Sequence, residues 1–445
     1  MKTPICDFVK NYAHEGKLRL HMPGHKGSPF LGVEQRDITE VDGADVLYSA
    51  DGIISESEKY AAAIFGSGKT KYSTEGSSLC IRAMVYLASL YAKSQGKRPL
   101  ILAARNAHKT FISAVALCDA DVEWLYGDGD GLISCRLSAS QIEKKLSEMQ
   151  SLPVALYLTC PDYLGVMWDI KGISEVCKKN GVLLLVDNAH GAYLKFLTES
   201  KHPIDLGADL CCDSAHKTLP VLTGGAYLHV SSNAPKMFFD MAEQAMALFA
   251  STSPSYLILQ SLDMANGYFA DGYAARYAET ASLVRNLKAK LEKNGFSLTG
   301  DEELKLCIEA KKYGYYGYEL SECLAEKNIV CEFYDKDYTV MMFSPENTAE
   351  DIEKLAGALL SISRRAEKTE SMPTVGKAKA AMSVREAIMS PSEEIDVADS
   401  LGRVLANAAV SCPPAIPIVV CGEVIDENAI ALFKYYGVEK CRVVV

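Results

Sequence analysis

A chain of 445 residues that is 49% hydrophobic and 23% charged has the composition of an ordinary soluble globular protein, with room for two or three domains and a large core. Lys plus Arg total 46 against 57 Asp plus Glu, a net charge of −11 that argues against a nucleic-acid surface and favours cationic ligands. No apolar run approaches the roughly 18 residues of a membrane span. The leading MKTPICDFVKNYAHEGK lacks a signal-peptide core, and the 14 Cys are scattered without a CxxC pair, so a reducing, cytoplasmic setting without zinc is expected.

In chain order, residues 1–54 are rich in Gly, Pro and His (LHMPGHKG, then DITEVDGADVLYSADG) and read as an arm that docks elsewhere. Ser55 followed by Glu58 is a capping-box pattern that opens a helix through EKYAAAIFG. Strand-like KTKYST follows, then helical GSSLCIRAMVYLASLYAK with Ile81, Met84, Val85 and Ala88 on one face. PLILAA, DVEWLY, PVALYLT, GVLLLVD, ADLCCDS and GGAYLHV read as further strands, with HKTFISAVALC and GISEVCKKNG as helices among them. Short, nearly continuous apolar strands separated by helices predict an α/β fold built on a mostly parallel sheet covered on both faces. A helix over about 271–294 leads to a smaller α+β unit, in which ELKLCIEA, YELSECLAEKN, IVCEFYD, YTVMMFS and TAEDIEKLAGALL read as β-α-β-β-α. The expected division is an arm over 1–54, a large domain over 55–270, a linking helix with a small domain over 271–365, and a C-terminal segment over 366–445.

GSGKT at Gly66–Thr70 is not a phosphate loop: Ala63 stands where that loop needs Gly, and the piece ends a helix instead of following a strand. GVLLLVDNAHGA carries more chemistry. Ligands of open parallel sheets bind beyond the carboxyl ends of strands, and Asp187 falls at such an end. A carboxylate there is costly unless it meets a cation or strong donor, and the plainer reading is a cap for the next helix. Lys217, in SAHKTL, follows another apolar strand; burial there lowers a lysine's pKa and makes it a Schiff-base nucleophile. An Asp and a Lys buried on neighbouring strands suggest pyridoxal 5'-phosphate (PLP), the Lys holding the aldehyde and the Asp keeping the ring nitrogen protonated. Gly76, Ser77 and Ser78 open a helix after a strand, a place for the phosphate that is equally a plain N-cap, and Ser214 and His216 are further donors. His108, in RNAHKT, is either a half-exposed cap residue or a flat cover for one ring face. Asp187, His190 and His216 have no recognised metal spacing, and no metal is expected.

HMPGHKG, RNAHKT, VDNAHGA, SAHKTL and STSPSY, with MSVREA, SLGRVLANA and CPPAIP further on, together resemble the Orn/Lys/Arg decarboxylases of the aspartate-aminotransferase-like fold (fold type I). The likeness is to a short form, without the N-terminal wing domain of longer members. It implies Lys217 as the PLP lysine, Asp187 as partner of the pyridine nitrogen and His108 as the stacking ring. Ala189 would pack on the cofactor and His190 would lie near its 3-oxygen. Gly76, Ser77, Ser78, Ser214 and His216 would hold phosphate. A homodimer is implied, open to higher assembly, with Thr252 or Ser253 reaching the other subunit's phosphate. Departures from the family pattern are Asn188, where it has the Glu of DEAHGA; Glu75-Gly76, where it favours NG; and CPPAIP and Cys421-Gly422-Glu423, where it has YPPGIP and PGE.

The implied reaction is decarboxylation of arginine, lysine or ornithine to an amine of polyamine biosynthesis. Lys217 and His216 are the candidate proton donors to Cα, and Glu423 or Glu75 the candidate partner of the distal cation. A PLP-dependent aminotransferase or lyase stays open, because Arg385 and Arg403 are available for a substrate carboxylate. So does a non-catalytic PLP-fold binding protein. Neither a nucleic acid nor a membrane is an expected partner.

Overall fold

The computed structural model describes residues 2–127, 131–407, 411–412 and 415–445. Strands β1 (Lys69–Ser73), β2 (Leu100–Ala104), β3 (Asp121–Leu125), β4 (Ala155–Thr159), β5 (Leu183–Asp187), β6 (Leu210–Asp213) and β7 (Ala226–Val230) form one seven-stranded, mostly parallel sheet. Helices α1 (Pro4–His14), α2 (Ile53–Phe65), α3 (Ser77–Ser94), α4 (Lys109–Cys118), α5 (Ala139–Glu148) and α6 (Ile170–Asn180) come before β5. The short α7 (Ala215–Thr218) follows β6, and α8 (Lys236–Ala247), α9 (Tyr256–Ala270) and α10 (Tyr273–Lys293) follow β7. No helix among the described residues is long and apolar enough to cross a membrane.

The chain packs into two compact units, both discontinuous in sequence. The first joins Met1–Tyr91 to Leu183–Ala275. In it β5 and β6 run parallel, while β7 is antiparallel to both β6 and β1. The expected arm opens with a helix: Ile5, Val9 and Tyr12 lie one helical turn apart and bury one face of α1. Beyond it Leu18, Leu20, Phe30 and Leu31 remain 79–87% exposed. The capping box expected at Ser55 is absent. Helix α2 starts earlier, and Asp45 Oδ2 accepts the Gly52, Ile54 and Ser55 amides at 2.9, 3.0 and 3.3 Å. Glu58 is instead buried, accepting from Lys71 Nζ and, at 3.0 Å, from the Tyr72 amide of β1. Helix α3 also departs from a one-faced reading, since Leu79, Cys80, Ala83 and Leu87 are as buried as Ile81, Met84, Val85 and Ala88.

The second unit joins Ala92–Val182 to Arg276–Val445. There β2 pairs in parallel with both β3 and β4. Helix α5, not read from the sequence, has its own capping box at Ser138 and Gln141. The β-α-β-β-α reading appears as β9 (Lys305–Glu309), α11 (Gly317–Ala325), β10 (Phe333–Tyr334), β11 (Tyr338–Met342) and α12 (Ala349–Leu360), preceded by a short strand not read from the sequence, β8 (Leu298–Thr299), in an antiparallel sheet of order β10-β11-β9-β8. The remaining chain adds α13 (Val384–Met389), β12 (Ser392–Asp396), β13 (Ser411–Cys412), β14 (Ile416–Pro417), α14 (Glu427–Tyr435) and β15 (Lys440–Val444). Its apolar side chains, among them Val397, Leu405, Ile425 and Phe433, bury together with Leu164 and Phe333.

Candidate functional site

Most of the residues singled out from the sequence lie in the first unit: Asp187, Ala189, His190, Ser214, His216 and Lys217 at the carboxyl ends of β5 and β6, and Glu75–Ser78 after β1. All five residues of β5 are buried, so the strand delivers Asp187 into the interior at 2% exposure. Its Oδ1 accepts the Ala189 amide at 3.2 Å and the Cys212 thiol at 3.6 Å. Burial and the Asp187 charge push the Cys212 thiol well above its ordinary pKa, so it stays a protonated donor. Strand β6 runs directly into α7, which carries His216 and Lys217. Lys217 Nζ lies 3.1 Å from His190 Nε2, so the loops leaving β5 and β6 meet through side chains.

The turn before α3 is built by close backbone approach. Gly76 has φ +71°, a left-handed conformation that suits Gly, and its amide donates to the Gly224 carbonyl at 2.7 Å. A Cβ on Gly224 would come within 2.8 Å of the Thr74 carbonyl, which explains the Gly pair after Thr223. Ser214 Oγ donates to Ser77 Oγ at 2.7 Å, so β6 and the first turn of α3 share a pair of hydroxyls. Ser78 lies beside them, half-buried, and Ala189 is 6% exposed. His216 Nδ1 donates to the Gly225 carbonyl at 3.0 Å, which fixes its tautomer. Glu75 is exposed and turned to the segment after α8, where its Oε1 accepts the Ser251 amide at 2.7 Å; Thr252 and Ser253 beyond it are exposed.

The sequence reading missed a polar cluster on the opposite face of β6. Asp213 is fully buried; its Oδ2 accepts from His202 Nε2 at 3.0 Å and His229 Nε2 at 3.1 Å, and its Oδ1 from Asn188 Nδ2 at 2.6 Å. Burial alone would raise that carboxyl, but the two imidazoles outweigh it and hold it below the ordinary carboxylate range. Burial lowers the His229 imidazole. A His inside the apolar run AYLHV was the signal, because a buried imidazole needs a partner.

His108 and Glu423 belong to the second unit. His108 is the N-cap of α4: its Nδ1 accepts the Thr110 amide at 3.2 Å and sits 2.9 Å from the Thr110 hydroxyl, which leaves the proton on Nε2. The next amide, on Lys109, donates to the Ala415 carbonyl at 2.9 Å. Arg105 donates to the Pro417 and Ile418 carbonyls, both at 2.8 Å, so the CPPAIP region is tied to the chain entering α4. Pro413 and Pro414 of that motif lie outside the described residues. Glu423 is 5% exposed, accepts the Val420 amide at 2.8 Å and lies 4.0 Å from Arg105; burial raises its pKa. Arg385 donates to the Ala116 carbonyl at 2.7 Å, and Arg403 to Glu393 and the Val444 carbonyl at 2.8 and 2.9 Å.

Comparison with known proteins agrees with this architecture. Residues 3–299 match the major domain of the Orn/Lys/Arg decarboxylases, and residues 364–440 match their C-terminal domain. The chain is 28% identical to an arginine decarboxylase of Bacillus subtilis, over 97% of this chain and 93% of that one. An arginine decarboxylase of Halalkalibacterium halodurans matches to the same extent. Among solved structures, lysine decarboxylase A from Pseudomonas aeruginosa superposes with a TM-score of 0.81 at 17% identity, covering 99% of this chain and 80% of that one. The lysine decarboxylase LdcF of Francisella novicida gives 0.79 at 15% identity, covering 100% and 81%. With its major domain and its C-terminal domain both matched, the chain belongs to the Orn/Lys/Arg decarboxylase family.

Proposed function

We propose that the chain decarboxylates a basic L-amino acid with PLP, and that arginine is the substrate to try first. The family is PLP-dependent, and the full-length likeness to proteins described as arginine decarboxylases supports that order of trial. The observation that carries the proposal is the placement of buried Asp187 and half-buried Lys217 at and just beyond the ends of adjacent parallel strands, with Lys217 joined to the β5 loop through His190. The donor set suits PLP: an acceptor for a ring N–H, a primary amine, and paired hydroxyls beside the amides that open α3. When bound, the cofactor supplies an electron sink for the pair released as the substrate carboxylate leaves as CO₂.

The chain's own residues supply the rest. Asp187 holds a proton on the ring nitrogen, and Lys217 Nζ binds the cofactor and later returns a proton to Cα. His190 orients Lys217. Gly76, Ser77, Ser78, Ser214 and His216 hold phosphate, while Ala189 and the Nε2-protonated ring of His108 pack on the cofactor. Glu75 anchors the exposed Thr252–Ser253 segment toward a second subunit, and the uncovered Leu18, Leu20, Phe30 and Leu31 favour a homodimer. Glu423 already has Arg105 and the Val420 amide as partners, which disfavours a role toward the distal cation. Arg385 and Arg403 are engaged with carbonyls and Glu393, which disfavours the aminotransferase alternative.

The test is incubation of the PLP-loaded protein with arginine, lysine and ornithine, following CO₂ and amine together. Stoichiometric CO₂ and amine from one of them is expected, with none from Lys217→Ala, which also loses the visible absorbance of the bound cofactor. Keto acid without CO₂, or an unchanged spectrum in Lys217→Ala, would sink the assignment. Sedimentation of the loaded protein as a monomer would remove the dimer.

A further inference from the structure

We propose that Asp213 is a positioning residue for the cofactor end of the site, clamping from behind the sheet the two loops that carry Asp187 and Lys217. This rests on the cofactor reading above and deepens it. Asp187 and Cys212 meet at 3.6 Å on one face of the sheet, and Cys211 and Asp213 meet at 3.7 Å. Because successive strand side chains point to opposite faces, the second pair lies on the reverse side. From there the 2.6 Å bond between Asn188 Nδ2 and Asp213 Oδ1 joins the residue after Asp187 to the residue that opens the turn to Lys217. A backbone bond of 2.9 Å from the Asn188 amide to the Cys212 carbonyl doubles the link.

The clamp extends to the other strands of the unit. His229, on β7, donates to Asp213 through Nε2, and its Nδ1 lies 2.8 Å from Thr70 Oγ1 on β1, itself 2.7 Å from Ser67 Oγ. His202 brings in the loop before β6, and Phe65 covers both imidazoles at ring separations of 4.6 and 5.4 Å. One carboxylate at the end of β6 thus ties β5, β6 and β7 together, with β1 joined through His229 and Thr70. It also accounts for Asn188 in place of the Glu of DEAHGA: a carboxylate at 188 would face Asp213 with no proton between them, whereas the amide supplies an N–H. His202, Cys211 and Asp213 also place ligand atoms within 4.8 Å of one another, an arrangement able to hold a metal ion. The two imidazole nitrogens at 3.0 and 3.1 Å from one oxygen have the separation of N–H···O bonds, and the cluster is assigned as a hydrogen-bonded clamp.

The test compares wild type, Asp213→Asn, Asn188→Asp and the double exchange Asn188→Asp/Asp213→Asn. PLP dissociation constants and circular dichroism of the cofactor's visible band are measured beside the melting temperature. The exchange swaps donor and acceptor and so preserves the cross-link and the acceptor facing the imidazoles. Asn188→Asp, which sets two carboxylates face to face, is expected to bind PLP about tenfold or more weakly, with altered dichroism; Asp213→Asn, where Asn188 can turn its Oδ1 to the new N–H, is expected to lose less, and the exchange to recover most of both. Should Asn188→Asp not fold, Asn188→Ala, which removes the cross-link alone, carries the same expectation. Lower melting temperatures with wild-type PLP affinity and dichroism would make the cluster merely structural and overturn the proposal. So would stoichiometric metal in the purified protein. If the wild-type chain takes up no PLP, both this proposal and the cofactor reading fail; if all variants bind alike, only this one does.

Discussion

Asp162→Asn in the second unit is expected to make the protein more stable at pH 8 and to flatten its stability between about pH 4 and 6. Asp162 is 1% exposed; its Oδ1 accepts the Leu164 and Val166 amides, both at 2.9 Å, and its Oδ2 accepts the Ser134 hydroxyl at 2.5 Å. Burial pushes its carboxyl up to about 6, although Ser134, the Val166 amide and Lys305 pull the other way. Between the unfolded value near 4 and the folded one near 6, the folded state holds a proton that the unfolded state has lost. Stability from this group is therefore complete below about pH 4 and is lost as pH rises through 6. A rise of about 2 in pKa at about 1.4 kcal/mol each makes the loss about 3 kcal/mol. An asparagine keeps the acceptor for both amides and puts an N–H toward Ser134, while carrying no charge to desolvate. The gain at pH 8 is thus up to about 3 kcal/mol, reduced by whatever attraction to Lys305 is forfeited. Both tryptophans, Trp124 and Trp168, lie in this unit, so urea midpoints read by fluorescence at a series of pH values report on it directly. Parallel wild-type and variant curves from pH 4 to 8 would refute the reasoning.

Ala415 holds φ +73°, a left-handed conformation that costs a non-glycine residue about 1 kcal/mol, so Ala415→Gly is expected to raise stability by about 0.5–1 kcal/mol. A fall in the urea midpoint would contradict this. Lys71→Met strips a 2%-exposed ammonium from Glu58, itself pushed by burial up to about 7, and is expected to cost about 3 kcal/mol in chemical denaturation. Adding Glu58→Gln should restore most of that; a double variant as weak as the single would show that the ion pair is not the cause.

The strand ends were legible because the rule that reads them is local. An apolar run followed by Asp187, and another followed by the turn to Lys217, need only period and position to be recognised. The Ser55–Glu58 pattern failed for the opposite reason. Asp45, outside any four-residue window, reaches the α2 amides first, and Lys71 on β1 claims Glu58 once the two pack. Helix α1 carried its signal in Ile5, Val9 and Tyr12, obscured by the Gly- and Pro-rich stretch after it. His229 inside AYLHV signalled a buried polar partner, but nothing in the order of residues says that positions 188, 202 and 213 are the ones that meet it.

The discontinuity of the first unit has a consequence for biosynthesis. Strand β1 pairs with β7, so at about 5–20 residues per second the ribosome delivers the partner on the order of ten to thirty seconds after β1 itself. Throughout that interval Tyr72 lacks Tyr227 of β7, whose ring centroid lies 5.7 Å from its own, and a nascent chain in that condition is a natural client for a holdase.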